Sequence, residues 1–160
     1  MLNKKVMDVD ELSEHVQNSL WLVKFINIYQ KLSTDNLSLL ADVYHRDIVF
    51  KDPMHHLTGF EQLNDYFNQL YTKLSYCDFV IEQVIAQDSE AAIYWQMRFQ
   101  HPKLNSGNMV SVQGSSHLKG LDDKVIYHRD YLDLGAMLYE QLPFFGRIIR
   151  WFKKRAVSYD

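Results

Sequence analysis

Along these 160 residues the hydrophobic pattern changes character at Leu74. Ahead of it the apolar positions recur with helical spacing. From about Glu14 to Leu32 they run almost all the way round (Val16, Leu20, Trp21, Leu22, Phe25, Ile26), the pattern of a largely buried helix. Ser33-Thr34-Asp35-Asn36 then offers N-cap residues for a short second helix through Tyr44. Asp47 to Pro53 has a β-rich centre and a proline stop, so it predicts a strand. Thr58-Gly59-Phe60-Glu61 reads as a capping box. Behind it Leu63, Tyr66, Phe67, Leu70, Tyr71 and Leu74 fall on one face of a third helix.

After Leu74 the period becomes two. Four runs, 76–87, 90–101, 108–119 and 124–133, are separated by the turn-forming stretches Asp88-Ser89, 103–107 and 120–123. In the second run Ala91, Ile93, Trp95, Met97 and Phe99 alternate with Ala92, Tyr94, Gln96, Arg98 and Gln100. In the last, alternation puts Ile126, His128, Asp130 and Leu132 on one face and Tyr127, Arg129, Tyr131 and Asp133 on the other. Such runs predict long antiparallel strands with one apolar face. A helical segment from about Gly135 to Ala156 follows, broken near Pro143. Past the proline, Phe144, Phe145, Ile148, Ile149 and Phe152 take one side and Arg147, Arg150, Lys153 and Lys154 the other. Helices first and a strand meander after them define an α+β protein whose sheet curls over its helices. The expected organisation is a loose leader over 1–14, one domain over 15–134, and a basic amphipathic helix over 135–160 packed on that domain or on a partner.

Composition narrows the function. A hydrophobic fraction of 47% and an aromatic fraction of 14% exclude wholesale disorder. A net charge of −3 is the wrong sign for the broad basic face of a general nucleic-acid binder. Cys77 is the one cysteine, so no internal disulfide forms. The first ten residues carry acids where a signal peptide needs an apolar run, and Leu20 to Tyr29 is too short to span a bilayer. A cytoplasmic protein is expected. Charge is unevenly placed: Arg147, Arg150, Lys153, Lys154 and Arg155 lie in a stretch without an acid, and the remainder of the chain is strongly acidic. That helix has three readings: packed on the domain or a second subunit, laid on an anionic membrane surface through 144–155, or docked on another protein's acidic face. His55-His56 lacks further ligands at metal spacing, and the glycines form no phosphate-binding pattern, so neither a metal nor a cofactor is expected.

Two local signatures resemble a known family. One is Phe50-Lys51-Asp52-Pro53 followed by Gly59-Phe60-Glu61; the other is His128-Arg129-Asp130-Tyr131-Leu132-Asp133 on the last strand. With the order of elements, they resemble the nuclear transport factor two-like superfamily, in its SnoaL-like branch, over about residues 15–140. The resemblance implies a cone-shaped roll, a curved mostly antiparallel sheet wrapped around the N-terminal helices, with a cavity for a small apolar molecule. The superfamily also holds ketosteroid isomerase, whose tyrosine-plus-acid oxyanion hole has no match here, and limonene epoxide hydrolase. In the latter the acid matching Asp130 joins an arginine and a second aspartate two apart on a neighbouring strand. This chain has Gln96 and Arg98 there, a departure that leaves an Asp130–Arg98 ion pair as the simpler expectation.

On that footing Asp130 is the candidate general acid–base, because an acid on an apolar cavity wall can exchange a proton with an apolar substrate. His128, two residues away on the same face, is its candidate partner. Arg98, His117, Trp95, Tyr94 and Phe50 are candidate ligand contacts; Trp95 and Tyr94 point to opposite faces, so at most one of them lines a cavity. Asp52, before a proline at a strand end, is expected to organise a turn. Two functions follow: a cofactor-free isomerase, cyclase or lyase, and a non-catalytic ligand-binding or dimerising module. A homodimer is expected, since one face of a curled sheet is otherwise left bare.

Overall fold

The computed structural model describes Asp8, Leu12 and residues 14–17, 19–142 and 144–157. The expected leader therefore lies almost wholly outside the described residues, as does Pro143.

Its first helical stretch is divided in two, α1 (Glu14–Gln17) and α2 (Leu20–Tyr29). The Ser19 carbonyl accepts N–H bonds from Leu22 and Val23, each 3.0 Å, and so begins a new helix. A 3-10 turn (Leu37–Leu39) leads into α3 (Leu40–Val43), which stops short of Tyr44. Tyr44 instead opens β1 (Tyr44–Lys51), because parallel pairing with Val125 of the last strand captures its backbone. After β2 (His56–Thr58) comes α4 (Phe60–Tyr71). The capping box is not formed: the N-cap is Gly59 without a side-chain cap, and Gln62 Oε1 accepts from the Thr58 N–H at 3.3 Å. The helix starts one residue later than the motif requires, so Gln62 takes the place expected of Glu61.

Strands β3 (Tyr76–Gln87), β4 (Glu90–Gln100), β5 (Val110–Leu121) and β6 (Lys124–Leu132) complete a six-stranded mixed sheet in the order β2-β1-β6-β5-β4-β3. β1 runs parallel to β6; every other neighbouring pair is antiparallel. Its inner face packs on α2 and α4 around Leu22, Phe25, Ile26, Leu63, Phe67, Ile93 and Leu118, all buried. The protein is an α+β fold of a curved open sheet with helices at both ends of the chain.

The simple alternation along β6 is corrected by a bulge. Lys119 faces Tyr127 but Gly120 faces Val125, so Ile126 has no partner. Val125 turns into the core and Ile126 leaves it, while His128 and Asp130 keep their common face.

Beyond the sheet, α5 (Leu134–Met137), a 3-10 turn (Tyr139–Gln141) and α6 (Phe145–Val157) close the chain. Asp133 caps α5, its Oδ1 accepting from the Ala136 N–H at 3.1 Å. The Phe/Ile stripe of α6 and its preceding residue is for the most part not packed on the domain: Phe144, Phe145, Ile148 and Phe152 are exposed, and Ile149 is half-buried.

Candidate active site

The site grows from the middle of β6. The bulge keeps His128 pointing inward, where Phe25, Tyr29, Tyr44 and Phe50 surround its ring and leave it 1% exposed. Asp130, the next side chain on the same face, lies 2.7 Å from His128 Nε2 through Oδ1. A carboxylate only accepts, so Nε2 is the donor to Asp130, and in the neutral imidazole Nδ1 is then the acceptor. The Tyr44 hydroxyl donates to it at 2.7 Å, and the Tyr29 hydroxyl donates in turn to Tyr44. Burial raises the pKa of both phenols far above the ordinary tyrosine value, which keeps them protonated donors. Tyr29, Tyr44, His128 and Asp130 thus form one hydrogen-bonded chain.

A second line reaches Asp130 from the sheet. Trp95 Nε1 donates to Ser116 Oγ at 2.8 Å, and that hydroxyl donates to Asp130 Oδ1 at 2.5 Å. Gly114 makes this possible, because Trp95 and Gly114 face each other across β4 and β5 and a Cβ there would stand 2.4 Å from the indole. Both lines end on Oδ1. Among the described residues no group reaches Oδ2, and the Asp130 side chain is 19% exposed.

Asp130 opens on a cavity of about 230 Å3 between the sheet and helices α2, α4 and α5. Phe50, Phe67, Trp95, Phe99, Leu132 and Met137 give it an apolar wall. Two phenols on α4 also line it. Tyr66 donates to Asp52 Oδ2 at 2.7 Å. Burial would raise the Asp52 pKa, but this bond and those from His55 and the Met54 and His55 N–H groups pull it below the ordinary 3.8. Tyr71 is different: its hydroxyl is buried with no oxygen or nitrogen partner among the described residues, and only the Cys77 thiol lies beside it. Its pKa is driven well up, by burial first and then by the nearby Cys77 thiol.

Residues 25–128 match the SnoaL-like domain family. This chain belongs to that family. No functionally curated protein matches the sequence. Among solved structures, a proposed SnoaL-like polyketide cyclase from Jannaschia sp. CCS1 is similar at 15% identity and TM-score 0.66, over 80% of this chain and 94% of that one. TerC, co-crystallised with polyporic acid, gives 12% identity and TM-score 0.65 over 74% of this chain and 95% of its own. A protein of ketosteroid isomerase-like fold from Catenulispora acidiphila DSM 44928, in complex with trimethylamine, gives 14% and 0.65 over 77% and 93%.

In this SnoaL-like chain His128, Asp130, Trp95 and Phe50 meet at the cavity, and Arg98, His117 and Tyr94 do not. Arg98 pairs with Asp78 through two bonds of 3.0 and 2.5 Å, so the Asp130–Arg98 ion pair is not made. The reason is topological: β5 lies between β4 and β6, and Arg98 alternates with cavity-lining Met97 and Phe99 onto the opposite face. His117 is held there by Glu90 at 2.7 Å, and Tyr94 is exposed on the same side. Sequence reasoning passed over Ser116, Tyr29, Tyr44 and Tyr71. Ser116 had a legible signal, a hydroxyl on the apolar face of its strand; Tyr44 did not, because the local pattern placed it in a helix.

Proposed function

We propose that this SnoaL-like protein is a cofactor-free enzyme that moves a proton on a compact apolar carbonyl compound, an isomerisation or cyclisation with Asp130 as general acid–base. The observation that carries the reading is the asymmetry of Asp130. Its Oδ1 is held by His128 and Ser116, while its Oδ2 is left for a ligand at an apolar cavity. As base, Oδ2 takes a proton from the carbon beside the carbonyl; the C–H electrons move onto the carbonyl oxygen as an enolate. Tyr71 is the candidate donor for that oxygen, since its buried hydroxyl lines the cavity and has only the weak Cys77 thiol beside it. Where the enolate is conjugated with a double bond, the proton returns from Asp130 to the far carbon of that system. Otherwise the enolate carbon attacks a second carbonyl of the same molecule, and the proton on Asp130 passes to the alkoxide oxygen as the ring closes. Cavity size sets the class of substrate: 230 Å3 falls below the roughly 300 Å3 at which small-molecule pockets begin, so the substrate is a compact one. The similarity to a proposed polyketide cyclase supports the same class of reaction.

The test follows α-hydrogen exchange of a panel of one- and two-ring ketones in D2O by proton NMR, with binding read from Trp95 fluorescence. The wild type accelerates exchange saturably, and Asp130→Asn loses about a hundredfold or more of that rate while still binding. Ketones that bind without faster exchange would replace the enzyme by a non-catalytic receptacle of the same fold.

A further inference from the structure

Helix α6 meets the domain through a mostly polar side, on which Ile149 is half-buried. Among the described residues of α6, Gly146 is the one fully buried position; it donates its N–H to Leu142 O at 2.8 Å, and a Cβ there would stand 2.2 Å from Glu140 O. One turn on, Arg150 Nη1 donates to the same Glu140 carbonyl at 3.1 Å. Lys153 Nζ pairs with Asp133 Oδ2 at 3.0 Å and Glu140 Oε1 at 2.5 Å. Positions 146, 150 and 153 form one face by helical spacing. An amphipathic helix resting on its own domain does the reverse and buries its apolar stripe. Here Phe144, Phe145, Ile148, Trp151 and Phe152 are between 52% and 80% exposed.

The borders of that apolar face say what fits it. Arg147 and Lys154 flank it and make no ion pair among the described residues, and the Arg155 guanidinium lies over the Trp151 ring at 5.1 Å. No acid occurs from 144 to 157. Aromatic side chains outward with cations at their margin are the arrangement of a helix lying in a lipid headgroup layer. Among the described residues no helix is long and apolar enough to cross a membrane. We propose that α6 docks this protein peripherally on an anionic membrane surface, its Phe145, Ile148, Trp151 and Phe152 side chains entering the headgroup boundary while Arg147, Lys154 and Arg155 meet lipid phosphates. The inference is independent of the chemistry in the cavity.

Flotation of the full chain with phosphatidylcholine vesicles, with and without about a third phosphatidylserine, tests it at low and high salt. Each cation near the surface is worth about a fivefold gain, so three give on the order of a hundredfold preference for the anionic vesicles, lost at high salt. Trp151 is the exposed tryptophan, and its emission shifts to the blue on binding. Phe145→Ser with Phe152→Ser removes binding with unchanged circular dichroism, and the salt series on the wild type stands without any variant. Absence from the anionic vesicles at low salt overturns the proposal, as does equal binding to zwitterionic ones. So does a dimer in sedimentation that the double variant dissociates while vesicles stay unbound, which would give the face to a second copy of the chain.

Discussion

His128 and Asp130 stand two residues apart on β6, and the pleat turns that spacing into a 2.7 Å hydrogen bond from Nε2 to Oδ1. Residues i and i+2 of a strand share a face, so a long ring and a short acid can meet along the strand without help from a neighbour. Everything that orients the pair comes from elsewhere: Tyr44 from β1, Ser116 from β5, and Phe25 and Tyr29 from α2. The dyad is local in sequence and its support is not.

Tyr44→Phe tests the line behind the histidine. Without the hydroxyl, His128 Nδ1 is a buried acceptor with no donor, and Tyr29 loses its partner. Urea unfolding is expected to show a loss of about 1–3 kcal/mol. The same variant should slow α-hydrogen exchange, because the imidazole is no longer held in the tautomer that donates to Asp130. Unchanged stability would mean that Nδ1 is not the acceptor assigned here.

Tyr71→Phe separates function from folding. Its hydroxyl has at most the weak Cys77 thiol for a partner, so removing it shifts the urea midpoint little in either direction. If it is the enolate's donor, exchange slows by about a hundredfold. A clear loss of stability with unaltered exchange would instead give the hydroxyl a structural role.

Gly114→Ala probes the seat of Trp95. The new Cβ would lie 2.4 Å from the indole, so the ring must move and draw Nε1 away from Ser116. Overpacking of this kind costs about 1–3 kcal/mol. Near-ultraviolet circular dichroism should change with it; an unchanged spectrum would show that the indole has room the structure does not.

Asp52 carries a pH dependence. Its folded pKa lies below 3.8, so its contribution to stability is fully present above that value and is lost as the pH falls through the lower, folded one. Asp52→Asn cannot follow that titration. The gap in melting temperature between wild type and Asp52→Asn is therefore expected to be constant from neutrality down to about pH 5 and to narrow below pH 4. A gap that stays constant down to pH 2 would show that the Tyr66, Met54 and His55 bonds do not favour the charged carboxylate.

The strand meander was readable because its information is periodic. Ala91 to Phe99 alternate strictly, and the turn residues Asp88-Ser89 and Asp122-Asp123 carry positive φ at Asp88, Asp122 and Asp123 as tight turns require. Asp52 was readable as a turn organiser for a similar local reason, since its acceptor reaches N–H groups two and three residues on. The helix ends were less so. Thr58 and Glu61 have the spacing of a capping box, yet the Thr58 N–H bonds to Gln62 and the helix opens at Gly59.

From its linear pattern alone the chain settles the α+β class, the four long strands and the common face of His128 and Asp130, because each depends on spacings of two to four residues. Strand order, the bulge at Ile126, Asp78 as the partner of Arg98, and the meeting of Tyr44, Ser116 and Tyr71 around one cavity were decided only by how strands and helices pair in three dimensions. Those contacts join residues up to 84 positions apart, and no local period encodes a partner at that distance. The outward turn of α6 belongs with them: an amphipathic stripe specifies that a helix has an apolar side, and close approach at Gly146 decides which way that side faces.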